Sequence, residues 1–165
     1  MGINDILNSL IYDRTQADVD YALSLQQNSV HAPENLRGAY NVSDRNRVGS
    51  AINWLIDAMN MLRFRAKDNW NEYDITKLAD NANTLDCLTE LKRLLSYGVV
   101  TAIPVDLDKL SYQKANNVER VLYQIGSAYA WISELYAGDG YASDFDAKDM
   151  QIFDDNWNFN FTLGG

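Results

Sequence analysis

The chain has 165 residues, 47% of them apolar, and a formal net charge of −9. That is the length of one domain able to bury roughly two-thirds of its unfolded surface, and the composition excludes wholesale disorder. The acidity argues against nucleic acid, which needs a concentrated basic surface, and against adsorption on anionic lipid. It is also uneven. From Ala137 to Gly165 six acids (Asp139, Asp144, Asp146, Asp149, Asp154, Asp155) meet one base, Lys148, so this stretch carries −5 of the −9.

Cys87 is the one cysteine, which rules out an internal disulfide framework and a cysteine-based zinc site. Met1-Gly-Ile-Asn-Asp-Ile has no basic region ahead of an apolar core, so no signal peptide is expected. No apolar run approaches the 18 or so residues of a membrane span. The expectation is a chain made and folded in a cytoplasm.

In chain order, Ile3, Ile6, Leu7, Leu10 and Ile11 fall at helical spacing and predict a short amphipathic helix. A second helix is predicted over Gln16 to Gln27, with Val19, Ala22 and Leu23 inward, followed by a polar loop from Asn28 to Gly38 that contains Pro33. The third, Asp44 to about Leu62, has the widest apolar stripe: Val48, Ala51, Ile52, Leu55, Ile56, Met59 and Leu62. A fourth is expected from about Lys77 to Leu95 on Leu78, Ala82, Leu85, Leu88, Leu91 and Leu95. The fifth runs from about Tyr112 to Tyr136 on Ala115, Val118, Val121, Leu122, Ile125, Ala128, Ile132 and Leu135. Val99 to Val105 is β-prone, but Pro104 makes it a poor strand. Beyond Gly138-Asp-Gly140, the pattern Trp157-Asn-Phe-Asn-Phe-Thr-Leu alternates with period 2, as a strand with one apolar face does.

Four of these helices open alike. Thr15, Asn41, Thr76 and Ser111 each stand five residues before an Asp or Asn, at intervals of 26, 35 and 35 residues. Such side chains accept hydrogen bonds from the free N–H groups of a first helical turn. The recurrence suggests one helix-with-lead-in unit used four times. Asn46 and Asn116, at matching offsets, are expected to tie their helix starts to the preceding lead-in.

No catalytic set emerges. His31, the one histidine, sits in the polar loop with no nucleophile or orienting partner beside it, and reads as a solvated side chain. Cys87 lies in the apolar run Leu85–Leu91 and reads as a small buried hydrophobe. The tail acids lack calcium-loop spacing, and Gly138-Asp-Gly140 lacks the setting of a phosphate loop. No cofactor and no metal are expected. Trp54, Trp70, Tyr73 and Trp131 read as core or near-core rings, with Ile75 packing as a staple ahead of a Thr76 cap. Trp157, Phe159 and Phe161, three large rings on one side of a possible strand, either pack back on the bundle or dock into a partner, and are the candidate partner-binding residues.

Gly38-Ala-Tyr-Asn-Val-Ser-Asp-Arg-Asn-Arg-Val48, Trp70-Asn-Glu-Tyr-Asp-Ile-Thr76 and Leu110-Ser-Tyr-Gln-Lys-Ala-Asn-Asn-Val-Glu-Arg120 carry a resemblance. In this order they are similar to segments reading roughly AYNxSDLNRV, WxxxDIPT and LTYxxANxIE in small structural proteins of the tail and baseplate regions of phages and prophages of Gram-positive bacteria. Tyr12-Asp-Arg-Thr-Gln-Ala-Asp-Val19 resembles a leading TDRTQADV segment, so the likeness spans about residues 10 to 136. The chain departs from it in lacking a proline before Thr76 and in having Gly49 where Glu is common. The resemblance implies a virion component and carries no catalytic residues.

The sequence therefore predicts an all-α protein. Residues 1–136 form a bundle of four main helices plus a short N-terminal helix, and 137–165 an acidic, aromatic, irregular and partly β arm. The expected role is non-enzymatic: a tail, baseplate or fibre-connector protein, present in many copies or as a homo-oligomer and binding other virion proteins, neither nucleic acid nor membrane. Two rival classes are a host-directed acidic inhibitor and a small carbohydrate-binding module.

Overall fold

A computed structural model of the chain describes residues 2–28, 36–61 and 63–138. Among them are five helices and no strand: α1 (Ile3–Ser9), α2 (Gln16–Gln27), α3 (Val42–Ala58), α4 (Leu78–Leu94) and α5 (Tyr112–Gly138). The protein is all-helical in its described part. Val99 to Val105 is irregular; Val99 is buried, and the Lys92 ammonium and Gln124 amide satisfy the carbonyl and N–H of Thr101. His31 and the arm from 139 onward, with its possible strand, lie outside the described residues.

Local chemistry sets the helix starts much as the sequence suggests. The Thr15 hydroxyl accepts from the Asp18 N–H while the Asp18 carboxylate accepts from the Thr15 N–H, a reciprocal cap. Asn41 caps α3 likewise with Asp44, so this helix begins at Val42, two residues before the expected Asp44. Ser111 accepts from the Lys114 N–H at the start of α5. Thr76 breaks the series. Lys77 takes the cap position of α4, and the Thr76 hydroxyl accepts from Arg45 instead. The expected staple is absent too, because Ile75 is 84% exposed. α3 ends at Ala58, short of the expected Leu62, because Asn60 adopts a left-handed conformation (φ 54°). The Met61 N–H then reaches back to the Ile56 carbonyl, and the Asn60 N–H to that of Asp57, closing the helix end.

One core joins α1, α3, α4 and α5. Ile6 and Leu10 meet Ile52, Leu55, Ile56, Leu88, Leu91, Val121, Leu122 and Ile125, all buried. α1 lies on α5 where Gly126 leaves room: a Cβ there would stand 2.7 Å from a Leu7 methyl. α2 does not bury the face expected to turn inward. It has no buried residue, and Leu23, expected inward, is 49% exposed. Its residues Val19, Ala22 and Leu23 make too narrow an apolar stripe to displace water from a core face. α4 is buried only in its second half, so Leu78 and Ala82 face solvent while Cys87, Leu88 and Leu91 are enclosed. α5 outruns its neighbours in the same manner. Trp131 and Leu135, expected in the core, are about half exposed, and Trp131 stacks on the equally exposed Tyr97. Trp70 is buried, and Trp54 packs edge-on against Tyr129 beside the core.

Candidate functional site

Four side chains from three segments meet at a buried ionic node. Arg14 comes from the α1–α2 link, Asp44 and Arg47 from the first turns of α3, and Glu119 from α5. The Arg14 guanidinium donates to Asp44 (2.8 Å) and to Glu119 (2.7 Å). Arg47 donates to Asp44 and, through Nε and Nη2, to both oxygens of Glu119 at 3.0 Å. The Ile11 N–H gives Glu119 a fourth bond at 2.7 Å. Two cations thus face two carboxylates, and Glu119 is 0% exposed. Arg14 completes its donor set on the carbonyls of Arg37 and Ile11 and lies over the Tyr40 ring.

Ionisation follows from this packing. Burial pushes the Tyr40 hydroxyl well above its ordinary pKa, and the nearby carboxylates of Glu119 and Asp44 add to the shift. Burial alone would pull Arg47 down, but its bonds to Glu119 and Asp44 outweigh that and hold it above its usual value. Every group is matched, and no described buried side-chain nitrogen or oxygen lacks a partner. A buried ion pair adds little net stability over an apolar replacement, yet a packing that separates the partners strands a charge. The node therefore selects one relative placement of α3, α5 and the 11–14 link.

A second device recurs three times. Asn116 accepts from the Arg14 N–H (3.0 Å) and donates to the Arg14 carbonyl (2.8 Å). Asn46 does the same to Trp70 (2.7 and 2.9 Å), and Asn53 to Ala66 (2.8 and 2.9 Å), with Asn53 also donating to Asp68. Each amide clamps both backbone groups of one residue, as a neighbouring strand would. Asn46 and Asn116 share a job, but not the expected one. Neither holds the lead-in before its own helix; Asn46 holds the chain after α3 and Asn116 the chain after α1. Between Asn46 and Asn53, Gly49 lets that chain lie directly on α3, since a Cβ there would stand 2.3 Å from the Lys67 carbonyl oxygen. The face Asn46–Gly49–Asn53 is thus a cradle for residues 66–70. Trp70 is held in it further by Arg45 and Lys67, whose charges sit 5.0 and 4.1 Å from its ring centre.

Arg14, Asp44, Asn53 and Glu119 were not singled out by the sequence. The available signal was a charged residue at an apolar register position: Glu119 follows Val118 on the inward stripe of α5. Cys87 is buried on α4 as expected, and burial raises its thiol pKa, the opposite of an activated nucleophile. Trp157, Phe159 and Phe161 lie outside the described residues, so none is placed relative to the node. Among the described residues no three His, Cys, Asp or Glu side chains gather as metal ligands, and no helix is long and apolar enough to cross a membrane. Comparisons with family models, with curated proteins and with solved structures each return no match.

Proposed function

We propose that the chain is a non-enzymatic structural protein of a phage particle, a tail, baseplate or fibre connector that works by assembling with other virion proteins. One observation carries this reading. The segments that carry the phage-protein resemblance supply the node and two of the three clamps: Arg14 from the first, Asp44, Asn46 and Arg47 from the second, Trp70 from the third, Asn116 and Glu119 from the fourth. What these segments supply is a way of locking the chain together, with the node's charges cancelled. That is the requirement of a rigid building block, and a poor arrangement for turning over a substrate.

In this reading 1–136 is the bundle body, and the acidic arm 137–165 reaches a neighbouring subunit through Trp157, Phe159 and Phe161. The acidic-inhibitor reading is less favoured. The described residues hold 13 of the 14 basic groups against 16 of the 23 acids, so they carry only −3 of the −9. The carbohydrate-module reading needs open rings beside Asp and Asn; Tyr73, 85% exposed between Asn71 and Asp74, is one, while Trp70 is buried and Tyr97 and Trp131 stack on each other.

The test is co-expression with the proteins encoded beside its gene, followed by size fractionation. The chain is expected to co-migrate with tail or baseplate proteins in a large assembly. Deleting 138–165 is expected to abolish that while leaving a helical, cooperatively unfolding body. A chain that stays alone with all such neighbours refutes the reading.

A further inference from the structure

An open cavity of about 470 Å3 lies between the first turns of α3, the start of α4 and the 107–110 loop. Its wall sets the cations Arg45, Lys67 and Lys109 beside the aliphatic side chains of Leu78, Leu107 and Leu110. Asp108 also lines it, and Lys67 is paired with Asp74, so Arg45 and Lys109 are the cations with charge to spare. On a chain of net charge −9 this is an unusual surface. It is also unfinished: Leu78 is 73% exposed, and Ile75 beside it is more so. The described residues leave both aliphatic groups uncovered.

We propose that this groove is the resting dock of the end of the chain's own C-terminal arm, Asp154 to Phe161. Two complementarities point to it. The segment opens on two acids (Asp154, Asp155) and holds no base, matching the cationic wall. Its rings Trp157, Phe159 and Phe161 alternate with Asn158 and Asn160, so an extended backbone would present all three to one side, suited to the exposed Leu78 and the half-buried Leu107 and Leu110. An acidic segment without rings, or an aromatic one without acids, would answer only half of the groove.

The tether decides in favour of the same chain over a second copy. Val118 lines the groove, and α5 rises about 30 Å from there to Gly138. The stretch from Gly138 to Asp154 reaches up to about 55 Å when extended, so it returns with slack. A tether of this length holds its end at an effective concentration of order millimolar. A free second copy at micromolar concentration competes poorly with that. Docking in this manner keeps the arm's aromatic face covered until a neighbouring protein offers a stronger site. The inference stands apart from the assembly role, because an arm can dock on its own body in a protein of any function.

The test places a photoreactive p-benzoylphenylalanine at Phe159 in the full-length chain at low micromolar concentration. After irradiation, mass spectrometry maps the cross-link. The expected product is a monomer linked within 76–81 or 107–110, and its yield falls at least fivefold in Lys109→Glu and in Leu78→Asp. Both side chains are exposed, so neither change should disturb the body, which circular dichroism checks. Raising the salt to about 0.5 M lowers the yield in the parent, since exposed charges are then screened. Cross-linked dimers overturn the proposal in favour of a second copy. Links elsewhere on the body, no link at all, or indifference to both substitutions overturn it outright, and none of these results bears on whether the chain assembles with virion proteins.

Discussion

Replacing Glu119 with Gln keeps the shape of the side chain but takes one charge from a node in which two guanidiniums face two carboxylates. The carboxylate accepts four bonds, from Ile11 N–H, from Arg14 and twice from Arg47. Whichever way the new amide turns, its NH2 faces donors: Arg14 and Arg47 on one side, Ile11 and Arg47 on the other. At least two bonds are lost, and the node keeps an unmatched positive charge at a site that is 0% exposed. Breaking one partner out of a buried pair costs about 3–5 kcal/mol. Against a domain stability of about 5–15 kcal/mol, this is a large fraction. For a chain of this length it corresponds to a fall in Tm of roughly 6–20 °C. Urea unfolding followed by circular dichroism should show a lower midpoint with an unchanged slope. Adding Arg47→Gln to Glu119→Gln should recover part of the loss, because the node is again neutral. As a control, Glu90→Gln removes the exposed pair with Arg93 and should cost less than about 0.5 kcal/mol. A Glu119→Gln cost under about 1 kcal/mol would refute the claim that the node fixes the packing.

Gly49→Ala should destabilise the protein by about 1–3 kcal/mol through overpacking, although helix propensity alone favours Ala by about 1 kcal/mol. The sign of the change in urea midpoint decides between the two effects, because the clash is with the Lys67 carbonyl and the Asp68 backbone. Asn53→Ala and Asn116→Ala should each cost about 2 kcal/mol, as each strands backbone groups at a buried contact; values near zero in thermal unfolding would show that water replaces the amides freely. Acid should weaken the fold. Asp18 is held below its ordinary pKa by the Thr15 N–H and hydroxyl, Asp74 by Lys67 and Asp106 by Lys114. A lowered folded pKa gives stability that is fully present above the unfolded value near pH 4 and is lost as pH falls through the folded value. Unfolding midpoints should therefore drop below about pH 4, and less steeply in Asp18→Asn; an equal slope in that variant would remove Asp18 from the account.

The sequence by itself determined the local events. The caps at Thr15, Asn41 and Ser111 act within one helical turn and depend on few distant residues, so the sequence shows them. The buried stripes of α3 and of the first half of α5 were legible for a similar reason: a wide apolar face at helical period has to meet a core. Cys87, within such a stripe, was placed correctly as well. Tertiary structure decided what each face meets. The stripes of α2 and early α4 have the right period but no surface to cover them, so Leu23 and Leu78 stay in water. Thr76 has a capping side chain, yet Arg45 takes it as a partner from 31 residues away. Gly49 reads as a defect in a helix until residues 67 and 68 are seen lying on it. The node shows the difference most plainly. Arg14, Asp44, Arg47 and Glu119 look like four ordinary surface charges along the chain, and only the fold brings them within hydrogen-bonding reach, where burial makes each one require the others.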